Sequence, residues 1–280
     1  MYRSRQQLKT TGRCKLTGQV GRFVKSHIIP QALTRPAQRN LPFYQIRPNA
    51  PPLKRWSSWY DPGLVVQAGE DILTTYDTWA VEALRRNKLV WSGWGDCKTL
   101  GLLHHRIGDS PWGVRKIEDV DGKKLRLFFL SLLWRAAATN LPEFNTIELP
   151  DDDLEQLRDL LYQGDPGSTT FYPVQLTQIS TIGVIHNHAP LADTKLVSIW
   201  DADPVRRVPV PIFRFYFDGL VVHFDRRQLV QEDVRALGNM IVGQEESFLV
   251  TTQTYEDSYQ RLQLTNVQIQ DFRTLLPSVG

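Results

Sequence analysis

Apolar and polar positions change their period several times along the chain, and each change predicts a different kind of element. Before residue 60 no helical period survives, because Pro30, Pro36, Pro42, Pro48, Pro51 and Pro52 recur too closely for a helix to run between them. Short strands and extended loops are expected there, with "RFVKSHII" the most strand-like piece. Residues 71–88 then set Ile72, Tyr76, Trp79, Ala80, Ala83 and Leu84 on one side at helical spacing, with basic residues in the last turn. Residues 89–114 are rich in Gly and Trp and predict an irregular, packed loop. "KKLRLFFLSLLWRAAATN" is apolar almost all round, the pattern of a buried helix whose Arg126 and Arg135 face polar or charged partners. "LPDDDLEQLRDLLYQG" opens on acids, carries leucines at 154, 157, 160 and 161 and stops at glycine, which predicts another amphipathic helix.

From Phe171 onward the period falls to two. It is clearest in "PIFRFYFDGLVVHFD", where Asp218 and Gly219 lie between two alternating runs as a two-residue hairpin turn. The expected class is α+β, with a helical middle and an antiparallel, sheet-rich C-terminal region. A boundary near residue 110 would separate a first domain (1–110) from a helix-then-sheet body (111–280).

Charge changes this picture more than composition does. Twelve of the 33 Lys and Arg residues fall within residues 1–60, which contain no Asp or Glu; the first acid is Asp61. A segment of +12 is thus joined to a body of about −9. That segment interleaves its cations with Phe43, Tyr44, Trp56 and Trp59, the mixture in which cations track phosphates while aromatic rings offer stacking faces. Candidate nucleic-acid contacts are Arg13, Lys15, Arg22, Lys25, Arg35, Arg39, Arg47, Lys54, Arg55 and Trp56. The competing reading is a basic arm that docks on the protein's own acidic body or on a protein partner.

Other chemistry is sparse. Two cysteines, Cys14 and Cys97, make no disulfide framework, and neither a secretory leader nor a membrane span is legible, so a reducing, cytoplasmic setting is expected. No Walker loop, G-x-S-x-G elbow or H-E-x-x-H occurs, which argues against an NTPase, a serine hydrolase or a zincin. Cys14, Cys97, His104 and His105 offer two thiolates and two imidazoles, an acceptable tetrahedral set that their spacing does not support. His186 and His188 alternate in a strand and share a face, as metal ligands or as solvent-facing polar positions.

The segment "CKLTGQVGRFVKSHIIPQALT" (Cys14 to Thr34) and the later "VQAGEDILTTYDTWA" resemble the HNH-like (ββα-metal, treble-clef) endonuclease proteins of bacteria and their viruses. In one branch a C-x-x-C knuckle precedes a K-S-H-I-I-P strand, and a second C-x-x-C opens a helix. The resemblance implies a degenerate ββα/treble-clef unit at the N-terminus, with Thr17, Val66 and Gly69 at three of four cysteine positions and therefore no expectation of zinc. It makes His27 the candidate general base of metal-assisted phosphodiester hydrolysis, with Glu70 and Asp71 placing a magnesium or manganese ion. Two structural roles compete with those: a histidine tying its strand to the next loop, and acids favoured at any helix N-terminus. The expected function is nucleic-acid binding with lost or reduced nuclease activity, within a mobile-element or phage-defence assembly. An active endonuclease using His27 and a structural interaction subunit are the alternatives.

Overall fold

The computed structural model describes residues 11–34, 43–47, 50–55, 58–199 and 206–266. In chain order the strands and helices are β1 (Thr11–Arg13), β2 (Val20–Arg22), β3 (Ser26–His27), α1 (Gln31–Thr34), β4 (Phe43–Arg47), β5 (Ala50–Arg55), β6 (Tyr60–Asp61) and α2 (Gln67–Arg86). They continue with β7 (His105–Arg106), β8 (Trp112–Ile117), α3 (Gly122–Ala138), α4 (Asp151–Gln163), β9 (Val174–Ile179), β10 (His186–Ile199), β11 (Arg206–Phe217), β12 (Leu220–Asp225), α5 (Gln231–Leu237) and β13 (Phe248–Gln253). The class is α+β.

Nine strands make the main sheet, in the order β5-β4-β10-β11-β12-β9-β13-β8-β7. The expected antiparallel pattern holds for most pairs, yet β4 runs parallel to β10 and β13 parallel to β9. The first exception arises because β4 and β5 come from the segment between β3 and β6 and add to the sheet from outside the C-terminal region. Pro51 and Pro52 are tolerated in β5 because it is an edge strand, open on one side, whose pairing with β4 is irregular between Gln45 and Arg47. The boundary expected near residue 110 falls inside the β7–β8 pairing.

One face of the sheet presents Phe213, Phe215, Phe217, Val222 and Phe224 to a core shared with α2, α3 and α4. α3 is buried on nearly all sides, as its all-round apolar sequence requires. Its N-terminus is capped by the Asp121 carboxylate, which accepts from the Lys124 amide at 3.0 Å. Arg126 is buried with its guanidinium donating to the carbonyls of Pro166, Ser168, Phe171 and Tyr172, so no carboxylate is needed. Burial nevertheless pushes its pKa down to about 10. α4 ends at Gly164, which takes a left-handed φ of 72°.

The Asp218-Gly219 turn joins β11 to β12 with φ of 50° and 78°, the left-handed pair that a two-residue hairpin demands. A side chain at Gly219 would also strike the Trp91 ring, since an added Cβ would stand 2.4 Å from it. The loop after α2 is irregular and packed, with Trp91 and Trp94 buried. His186 and His188 are not solvent-facing: both are buried, and their Nδ1 atoms lie 2.8 and 2.6 Å from the carbonyls of Val184 and Ala189. Stacking on Tyr216, with ring centroids 4.9 Å apart, completes the seat of His186.

Candidate functional site

β1 and β2 form a hairpin whose tip, Cys14 to Gly18, is a tight knuckle. The Gly18 amide donates to the Cys14 carbonyl at 2.9 Å, the Cys14 amide donates to Gln19 at 2.8 Å, and Gly18 takes φ 71° to close the loop. The Thr17 amide points at Cys14 Sγ, 3.4 Å away. A second corner forms where α2 begins: Val66 is its extended N-terminal flank, and the amide of Gly69 donates to the Val66 carbonyl at 3.0 Å. The two corners face each other. A Cβ on Gly69 would lie 2.8 Å from Cys14 Sγ, and Val66 bridges Phe23 while its side chain covers Gly21. Cys14, Val65 and Val66 are buried in the main core, so packing fills this junction.

Below the knuckles, β3 pairs antiparallel with β6, setting Ser26 opposite Asp61 and His27 opposite Tyr60. The ring centroids of His27 and Tyr60 are 6.2 Å apart, and the Lys25 amine sits 4.0 Å from the Tyr60 ring centre. Beneath this strand pair lies a charged network that the sequence reading did not assemble. Arg135, buried on α3, donates through Nη1 to Asp77 Oδ2 on α2 and to the His27 carbonyl, each at 3.0 Å. Its Nη2 donates to Ser131 Oγ at 3.0 Å and to the other Asp77 oxygen. The signals were Arg135, one of two arginines in an apolar helix, and an acid seven positions after Glu70, hence on nearly the same helix face.

Glu70 and Asp71, expected to act together, diverge. Asp71 is exposed and accepts from Gln67 Nε2 at 2.7 Å. Glu70 turns inward toward Ser26, whose hydroxyl is sealed from solvent. Burial raises the Glu70 pKa above its ordinary value; Ser26 and Arg135 pull it down, while Asp77 and Asp71 push it up. The Ser26 contact is a weak one, since neither Ser26 Oγ nor Glu70 Oε2 has a partner at normal hydrogen-bond geometry.

The basic candidates divide. Arg13, Arg22 and Lys25 are exposed on or beside the β1–β2 hairpin, and none has a carboxylate partner among the described residues. Lys15 is turned away, its amine donating to the Ala138 carbonyl at the last turn of α3. Arg47, Lys54 and Arg55 lie on β4 and β5, where only the backbone is described, and Arg35, Arg39 and Trp56 lie outside the described residues. Trp59 is no stacking platform: it is buried edge-on against Phe144, with centroids 5.6 Å apart. Cys97 and His105 are exposed, and His104 Nδ1 lies 2.7 Å from Thr252 Oγ1. Among the described residues no three His, Cys, Asp or Glu side chains converge as a metal site would require, either around Cys14 or around Glu70. No helix among them is long and apolar enough to cross a membrane.

Comparison of the chain with protein-family models, with curated proteins and with solved structures gave no match.

Proposed function

We propose that this chain is a nucleic-acid-binding protein built on an HNH-like, degenerate treble-clef frame in which packing replaces the zinc staple. The observation that carries the reading is the exposed set Arg13 and Arg22 on the β1–β2 hairpin and Lys25 beside it at the Tyr60 ring, unpaired with carboxylates among the described residues. Unpaired surface cations gain from phosphate without first breaking an ion pair. The frame itself is supported by the two corners that bring Cys14 against Gly69 and by the β3–β6 pair that precedes α2. Nuclease activity is the lesser reading, because Glu70 is half-buried with Oε2 sealed from solvent and would have to be drawn outward to meet a metal ion.

A salt titration of binding to single-stranded DNA, duplex DNA and RNA tests the proposal. Affinity should fall steeply with salt, and replacing Arg13, Arg22 and Lys25 together by Gln should lower the slope by about 2–3 units. No binding at low salt, or an unchanged slope in the variant, would remove it. For the nuclease reading, wild type and His27→Ala are compared on plasmid and single-stranded substrates with magnesium or manganese. Equal cleavage by both excludes His27 as the base.

A further inference from the structure

The main sheet has a second face, turned away from α2 to α4, and part of it is charged. On β11, β12 and β9 the register sets Arg214, His223 and Gln175 side by side, and Asp193 and Lys195 of β10 alternate onto the same face. In a flat sheet β10 and β9 would be three spacings of about 4.8 Å apart. The Lys195 amine nevertheless donates to Gln175 Oε1, so the sheet curls over this face. Residues 255–266 lie across the opening, and between them and the strands is a cavity of about 810 Å³ open to solvent. That volume suits a small organic molecule.

Several nitrogens of this cavity lack a charged or hydrogen-bonding partner of their own. Asp193 is 3.2 Å from Arg214 Nη2, Asp225 is held by Arg227 at 2.6 Å, Glu256 by Arg261 at 2.6 Å, and Asp257 accepts from Thr254 Oγ1 at 2.6 Å. Lys195 itself donates to a neutral amide, and the carboxylate that acts on its charge, Asp225, is already held by Arg227. Arg214 stacks 3.8 Å over the Tyr259 ring with its Nε sealed and unpartnered, and His223 Nε2 is likewise sealed without a partner. Val221, Met240, Leu262 and Trp112 supply apolar wall around these nitrogens. An ammonium that shares its acting carboxylate with Arg227 and donates to a neutral amide, in an apolar-walled cavity, is a costly arrangement that a further negative charge would relieve.

We propose that this cavity binds a small organic oxyanion, a carboxylate or phosphate carried on an apolar body, with Lys195 as its counter-ion. The site is separate from the His27 region and does not depend on nucleic-acid binding. The electrostatics agree: burial lowers the Lys195 pKa to about 8, Asp225 raises it, and Arg227 and Arg214 lower it further. Burial, with Arg214 and Lys195 adding to it, lowers the His223 pKa well below its ordinary value.

Calorimetric titration of the full chain with phenyl phosphate and with benzoate tests this, against benzyl alcohol as a neutral body and inorganic phosphate as a bare anion. Both aromatic oxyanions should bind, and Lys195→Gln should weaken each by about tenfold or more, while Lys195→Arg retains most of the affinity. Should Lys195→Gln fail to fold, the wild-type chain still decides. Its Lys195 amine, followed by NMR, should move to a higher pKa when phenyl phosphate binds. Benzyl alcohol matching the oxyanions, inorganic phosphate matching phenyl phosphate, an unmoved Lys195, or no binding of any probe at millimolar concentration would overturn the proposal. The tighter of the two oxyanions identifies the headgroup.

Discussion

Arg135 and Asp77 meet through both guanidinium Nη atoms, and one of those nitrogens also holds the carbonyl of His27. A single buried side chain on α3 thus fixes the position of α2 and of the strand that carries the candidate base. Asp77→Ala would leave Arg135 buried without its charge partner. Because Asp77 is partly solvated, we expect a loss of about 3 kcal/mol, at the lower end for a broken buried pair. Urea unfolding measures it through the shift in midpoint, and a loss below about 1 kcal/mol would mean that water replaces the carboxylate.

Glu70 has a folded pKa raised above its ordinary 4.5, so the folded protein holds this proton more tightly than the unfolded chain does. Its contribution to stability is present at low pH and is lost as pH rises from 4.5 through the raised folded value. Glu70→Gln removes that dependence. The variant should gain melting temperature relative to wild type at pH 7.5 and gain less, or nothing, at pH 4. The opposite ordering would mean that the Arg135 and Ser26 interactions outweigh burial.

The corner at Gly69 makes two predictions of opposite sign. Gly69→Ala places a methyl against Cys14 Sγ and Val65 and should cost about 1–2 kcal/mol. Changing Thr17, Val66 and Gly69 together to Cys should instead create, with Cys14, a tetrahedral thiolate site that binds zinc or cobalt one per chain. The d–d absorption of the cobalt form reads this out. A triple variant that folds and takes up no metal would count against the treble-clef frame.

Gly219→Ala adds a Cβ within contact of the Trp91 indole at a position whose φ of 78° resists any side chain. The loss should be about 3 kcal/mol or more, with both strain and overpacking contributing. Thermal unfolding and the near-ultraviolet circular dichroism of the tryptophans should report it together.

Much of the helical framework was legible in the sequence because helical periods are local. α2 begins at Gln67 rather than Asp71, since the first turn carries too few large apolar residues to show the period. The Asp218-Gly219 hairpin was legible for the same reason: its turn chemistry is written in adjacent residues. The burial of His186 and His188 was not legible, because alternation tells which side chains share a face and not what covers that face. The pairing of His27 with Tyr60 was not anticipated, nor was that of Asp77 with Arg135, as each helix alone gives no sign of the other's charge. The cavity lay hidden likewise. Lys195, Arg214 and His223 read as ordinary outward positions until the curl of the sheet and residues 255–266 enclose them.

The parallel pairing of β4 with β10 also bears on how the chain acquires its shape. Tyr44 is made before its ladder partner His186, which emerges only after both helices between β8 and β9 have been synthesised. Such distant pairing closes slowly, because a long loop must be ordered before any contact compensates. Strand β4 therefore waits, with the edge that β10 will cover unsatisfied, as nascent chain that a chaperone or a bound polyanion could shield until its neighbour arrives.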